Sequence, residues 1–129
     1  MATFEYLDSE VVVLVVWDEP SGLEVIRQLL TPHSFHVLMA RSGVIAVRTV
    51  EVYRQLQVEI DLVLLNRTPD GPATFEALRA INPALRCAFM SATGPEWDAE
   101  MMRNGAVGCI QKPWRHEEFV KSIREWSLR

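Results

Sequence analysis

The 129-residue chain has one domain's worth of sequence, with 49% hydrophobic and 23% charged residues, the balance of a globular protein rather than a disordered one. Its net charge of -4 comes with no basic stripe, so no nucleic-acid partner is expected. No apolar run reaches the roughly 18 residues of a membrane span, and MATFEYLDSE lacks a basic segment, so neither a membrane nor a secretory route is expected.

Taken in chain order, Val11–Val16 is β-branched and apolar on both faces, the pattern of a strand buried on both sides. Ser21 opens a helix, with Glu24 three residues on as a capping box. Leu23, Ile26 and Leu30 form its apolar face, and Thr31-Pro32 ends it. Phe35–Ala40 reads as a second strand. Ser42-Gly43 starts a helix through Ala46, Val47, Val50 and Tyr53. Asp61–Leu65 is a third strand, and Asn66–Ala73, with two prolines and a glycine, is loop. Phe75, Leu78 and Ile81 mark a third helix. Arg86–Ser91 is a fourth strand. Trp97, Met101 and Met102 mark a fourth helix capped by Gly105. Gly108–Gln111 is a fifth strand. Phe119, Val120, Ile123 and Trp126 give the last helix its apolar face.

Five βα units with doubly apolar strands call for an α/β fold, a doubly wound five-stranded parallel sheet between two helical layers. One domain is expected over residues 1–129, its core over about 11–126. Ligands in such sheets meet the carboxyl ends of the strands, which directs attention to Trp17-Asp18-Glu19, Asn66, Ser91-Ala92 and Lys112-Pro113. The two cysteines, Cys87 and Cys109, have no zinc-site spacing. They read as buried small hydrophobes in a reducing, cytoplasmic protein.

Those stations resemble the receiver domain of two-component response regulators, a flavodoxin-like, CheY-like (βα)5 fold. "VVVLVVWDEP" resembles its first strand and acidic cluster, "DLVLLN" its third strand ending at the phospho-acceptor. "FMSA" resembles the fourth strand ending in Ser or Thr, and "NGAVGCIQKPW" the fifth strand and Lys-Pro turn. The resemblance implies a signalling module rather than an enzyme. In the family an aspartate takes a phosphoryl group beside Mg²⁺ held by two acids, a lysine contacts the phosphate, and a hydroxyl and an aromatic relay the change. It also implies a cis bond before Pro113.

The chain departs from that pattern. Asn66 stands at the acceptor position, and Trp17 replaces the first acid, leaving Asp18 and Glu19. Cys109 replaces the fifth-strand aromatic, and the loop Arg67-Thr68-Pro69-Asp70-Gly71 is altered. Lys112-Pro113 and the Ser91 hydroxyl persist. A neutral amide is a poor nucleophile, and Mg²⁺ wants carboxylates in octahedral geometry. No cofactor is therefore expected, with Asp18 at most a weak Mg²⁺ ligand. The implied function is a degenerate receiver acting without phosphate, by contact with a protein partner: a histidine kinase, an output domain, another regulator, or a second copy.

Each residue also has a plainer structural use. Asn66 suits a loop cap, Asp18 and Glu19 the entry to a helix, Lys112 a fixed turn, and Ser91 a loop cap. Trp97, Trp114 and Trp126 surround the last two helices and are read as an interaction face rather than core. His33, His36 and His116 are scattered and are not read as ligands. Asn66-Arg67-Thr68 matches a glycosylation pattern by chance. Three other readings remain: phosphorylation at Asp18 or Asp70, a receiver whose acceptor aspartate was replaced by substitution, and a small nucleotide-binding enzyme. The last needs a glycine-rich phosphate loop, which Trp17–Gly22 does not supply.

Overall fold

The computed structural model describes residues 10–92 and 94–128; the reading of the N-terminal residues 1–9 lies outside them. The elements are β1 (Val11–Val16), α1 (Pro20–Leu30), a 3-10 turn (Thr31–His33), β2 (Phe35–Ala40), α2 (Gly43–Gln55), β3 (Leu62–Asn66), α3 (Gly71–Ile81), β4 (Cys87–Ser91), α4 (Pro95–Arg103), β5 (Gly108–Gln111) and α5 (His116–Trp126). All strand pairings are parallel, in the order β2-β1-β3-β4-β5. The doubly wound α/β sheet is the one the strand pattern implies.

Alternation along each strand splits the core in two. Leu14, Val63, Leu65 and Phe89 face one way and meet Ala46, Val50, Phe75, Leu78 and Met101 of α2, α3 and α4. Val13, Val15, Leu64 and Met90 face the other way and meet Ile26, Leu30, Phe119 and Ile123 of α1 and α5. Burial on both faces explains the unbroken apolar runs. No helix among the described residues is long and apolar enough to cross a membrane.

Helix ends follow local chemistry, with three corrections to the sequence reading. First, α1 starts at Pro20 with Glu19 as its N-cap and no side-chain cap, so Ser21 and Glu24 form no capping box. Proline lacks an N–H and fits the first helical position, which moves the start one residue earlier, and Glu24 instead pairs with Arg27. Second, α3 starts at Gly71, again with proline in its first turn, so the loop is only Arg67–Asp70. Third, β3 includes Asn66 and excludes Asp61. The ladder to β4 continues through Asn66, opposite Met90. Elsewhere local signals hold. Ser42 accepts the Ile45 N–H at 3.2 Å. Gly105, at φ +109°, closes α4 in a Schellman arrangement: the Ala106 N–H reaches Met101 O at 3.0 Å and the Gly105 N–H reaches Met102 O at 3.1 Å.

Candidate functional site

The parallel sheet brings the ends of β1, β3 and β5 to one rim. Trp17 follows β1, its N–H bonded to Ala40 O at 3.0 Å. Its indole lies across the first turn of α1, so close that a β-carbon on Gly22 would fall 2.4 Å from the ring. Gly22 is thus what lets the ring fold inward. Asn66 ends β3 and is buried. Lys112 follows β5, its N–H bonded to Ser91 O at 2.8 Å, and precedes a cis Lys112-Pro113 bond; Thr68-Pro69 is cis as well.

These residues meet through their side chains. Lys112 Nζ donates to Asn66 Oδ1 and sits 4.2 Å from the centre of the Trp17 ring, a cation–π distance. Asn66 Nδ2 donates to Thr68 O at 2.8 Å and to Thr68 Oγ1 at 3.3 Å. Both ends of the amide are therefore engaged. Burial pushes the Lys112 ammonium below the ordinary lysine range, while Glu19 and Asp18 pull it partly back up. What remains open is a cavity of about 70 Å³, lined by Trp17, Asp18, Asn66, Thr68, Asp70 and Thr74 among others. Asp18, Glu19 and Asp70 are exposed. Among the described residues no group of three or more His, Cys, Asp or Glu is arranged to hold a metal ion.

Beside this rim lies an aromatic ladder that sequence reading missed. Arg67, the residue after Asn66, reaches α4 and stacks 4.9 Å from the Trp97 ring centre. Trp97 meets Phe89 edge-on at 5.1 Å, and Phe89 meets Phe75 edge-on at 5.4 Å. The available signal was strand alternation, which turns Arg67 away from Asn66. Ser91 is buried at the end of β4. Cys109, on β5, sends its Sγ toward Asp98 O at 3.8 Å. Burial, helped by Asp98, pushes its thiol up to about 12.

The three tryptophans do not form one stripe. Trp97 packs in the α2–α3–α4 layer. Trp114 stacks on Phe119 at 4.5 Å, and Trp126 covers Gly108, where a β-carbon would fall 2.0 Å from the ring; both belong to the α1–α5 layer. They bracket β5 from its two faces and all three are half-buried. His33 and His116 are exposed and His36 is half-buried in β2.

The model of the response regulator receiver domain matches residues 13–124 of the chain. The chain belongs to this family. As a receiver it is a module of two-component signalling with the CheY-like fold. The transcriptional regulatory protein ZraR of Escherichia coli K12 is 31% identical over 117 residues, covering 88% of this chain and 25% of that protein. ZraR of Salmonella typhimurium matches to the same extent. The chain thus spans about a quarter of the length of these curated relatives. Among solved structures, a receiver domain from Clostridium thermocellum superposes with a TM-score of 0.78 at 21% identity, over 91% of this chain and 94% of that one. NtrX from Brucella abortus gives 0.82 at 20% identity, over 92% of this chain and 26% of that one. At such identities these structures bear on the fold alone.

Proposed function

We propose that this receiver works without phosphate and transmits its signal by protein–protein contact through the face made by α4, β5 and α5. The observation that carries this reading is the Lys112–Asn66 hydrogen bond beneath the Trp17 ring. In the family's chemistry the lysine meets a phosphoryl group on an aspartate. Here its ammonium is already taken by a neutral amide and covered by an indole. The donor set also fails to fit Mg²⁺. Asn66 contributes no anionic oxygen, Trp17 contributes no oxygen, and the remaining acids are solvent-exposed, whereas Mg²⁺ needs carboxylates in near-octahedral array before it sheds water. Asp18 is left as a weak ligand at best. Asp18 and Asp70 line the cavity, but Lys112 is committed to Asn66.

The proposed contact face is braced by the Arg67–Trp97–Phe89 ladder and by Gln111, whose amide donates to Asp98 across the α4–β5 junction. The partner is a protein of two-component signalling, such as a histidine kinase, an output domain or another regulator. The reading is tested by measuring affinity for a candidate kinase fragment with and without a small phosphodonor and Mg²⁺. The same affinity in both conditions is expected, with a loss on Trp97→Ala and Trp126→Ala. A phosphodonor-dependent change in affinity contradicts phosphate independence. Binding that is untouched by both substitutions contradicts the face.

A further inference from the structure

The sheet has two outer edges, and β2 forms one of them. Along its outer side the backbone groups of Phe35–Ala40 have no strand partner among the described residues. Natural edge strands are blunted by lysine, proline, inward charges or bulges. FHVLMA has none of these, and Met39 is 44% exposed.

A second feature lies beside it. The side of α2 that faces α3 carries Val44, Val47 and Glu51. The opposite side, toward the β2 edge, carries Ile45, Val52 and Leu56 at helical spacing, exposed by 46%, 49% and 57%. Such a row is unusual on a surface helix, where the face away from the core is normally polar.

We infer that the β2 edge and the α2 row together form a homodimer interface, taken by a second copy of this chain across a two-fold axis normal to the sheet. That axis pairs the two β2 strands antiparallel, centred on Val37, whose backbone groups point outward by alternation from Ala40, bonded to β1. Phe35 then faces Met39 of the second copy, and His36 faces its Leu38. An axis normal to the sheet keeps each helical layer on its own side, so the α2 row of one copy meets the α2 row of the other. One symmetry operation thus satisfies both features, as an isologous contact requires. Ile45, Val52 and Leu56 carry no charge, and the nearest charge is Arg48, exposed at the margin of the row between Ile45 and Val52. A single foreign strand would pair the edge but leave the α2 row in water, and this favours a second copy as the occupant. The inference is independent of phosphate chemistry and of the α4–β5–α5 face.

Sedimentation equilibrium of the whole chain from micromolar to millimolar concentration tests it. The mass is expected to rise from one chain to two. The double variant Ile45→Lys/Val52→Lys changes only exposed positions, and is expected to weaken the dimer by more than about a hundred-fold in Kd with an unchanged melting temperature. Met39→Pro removes an N–H that alternation directs outward, since Ala40 O points to β1. It is expected to weaken the dimer while the α2 row stays intact, which separates strand pairing from helix packing. Met102→Lys on α4 serves as the control and is expected to leave the dimer unchanged. A chain that stays monomeric at millimolar concentration overturns the inference. So does a dimer that survives the double lysine variant but is lost in Met102→Lys.

Discussion

A polar side chain stands at each end of β3, and the two are used in opposite ways. Asp61, just before the strand, is buried. Its Oδ2 accepts the Val12 N–H at 2.8 Å, and its own N–H reaches Val12 O at 2.9 Å. It stitches β1 to β3 at the end away from the candidate site. Asn66 closes the strand at the other end, facing a cavity, and spends its amide on Lys112 and the Thr68 backbone. One strand thus keeps its acid where the bond is architectural and carries an amide where the family's chemistry would need an acid. An acidic group at a strand end is not by itself a functional signal, and a neutral group is not by itself a structural one. Partners decide which it is.

Removing the architectural end should have the largest effect. Asp61→Ala leaves the Val12 N–H buried without its acceptor and should cost about 2–3 kcal/mol of stability, read by urea unfolding, without altering the Lys112 environment. Asn66→Ala should cost less, about 1 kcal/mol, because its partners lie at a rim that water reaches. The two substitutions should be nearly additive, since the groups stand at opposite ends of β3. Strong coupling between them would break the comparison. Gly22→Ala acts on the site end alone. Its β-carbon displaces the Trp17 indole, so the near-UV circular dichroism should change while stability moves by about 1 kcal/mol or less.

A separate effect is expected on alkaline stability. The Lys112 ammonium titrates lower in the folded chain than the ordinary 10.5, so the unfolded chain holds more protons in the window just below 10.5, and this group makes stability rise with pH there. The thiols act the other way. Burial raises Cys87, and burial with Asp98 raises Cys109, each from an ordinary 9.0 to about 12. The unfolded thiols therefore ionise first, and stability falls as pH climbs from 9.0 toward 12. Two groups oppose one, so a net alkaline fall is expected in chemical denaturation. It should steepen in Lys112→Gln, where the opposing rise is gone.

Much of this was legible in the sequence. Runs such as VVVLVV and LVLL have no polar alternation because both faces of the sheet are covered, and the rule that sites lie at strand ends then selected Trp17, Asn66, Ser91 and Lys112. Two of the misplaced boundaries had local causes: Pro20 starts its helix one residue before the Ser21 cap, and Pro72 lies in the first turn of α3 where a loop was read. The Lys112–Asn66–Trp17 contact was not legible, because it joins residues 46 and 95 positions apart, and only the close approach of the Trp17 ring to Gly22 turns the indole inward. The Arg67–Trp97 stack was hidden for the same reason. The three tryptophans were read together because they surround the last two helices; their packing into two layers on either side of β5 was not visible in the sequence.

The central claim is that the site end of β3 is closed to phosphoryl transfer. It is tested most directly by the intact mass of the chain after incubation with a small phosphodonor and Mg²⁺, beside an Asn66→Asp variant. No adduct on the natural sequence is predicted. An adduct on the variant alone would place the block at residue 66, and none on either would assign it to Trp17 and the altered loop as well. A phosphoryl adduct on the natural sequence would mean that another carboxylate accepts the group, and would contradict the account.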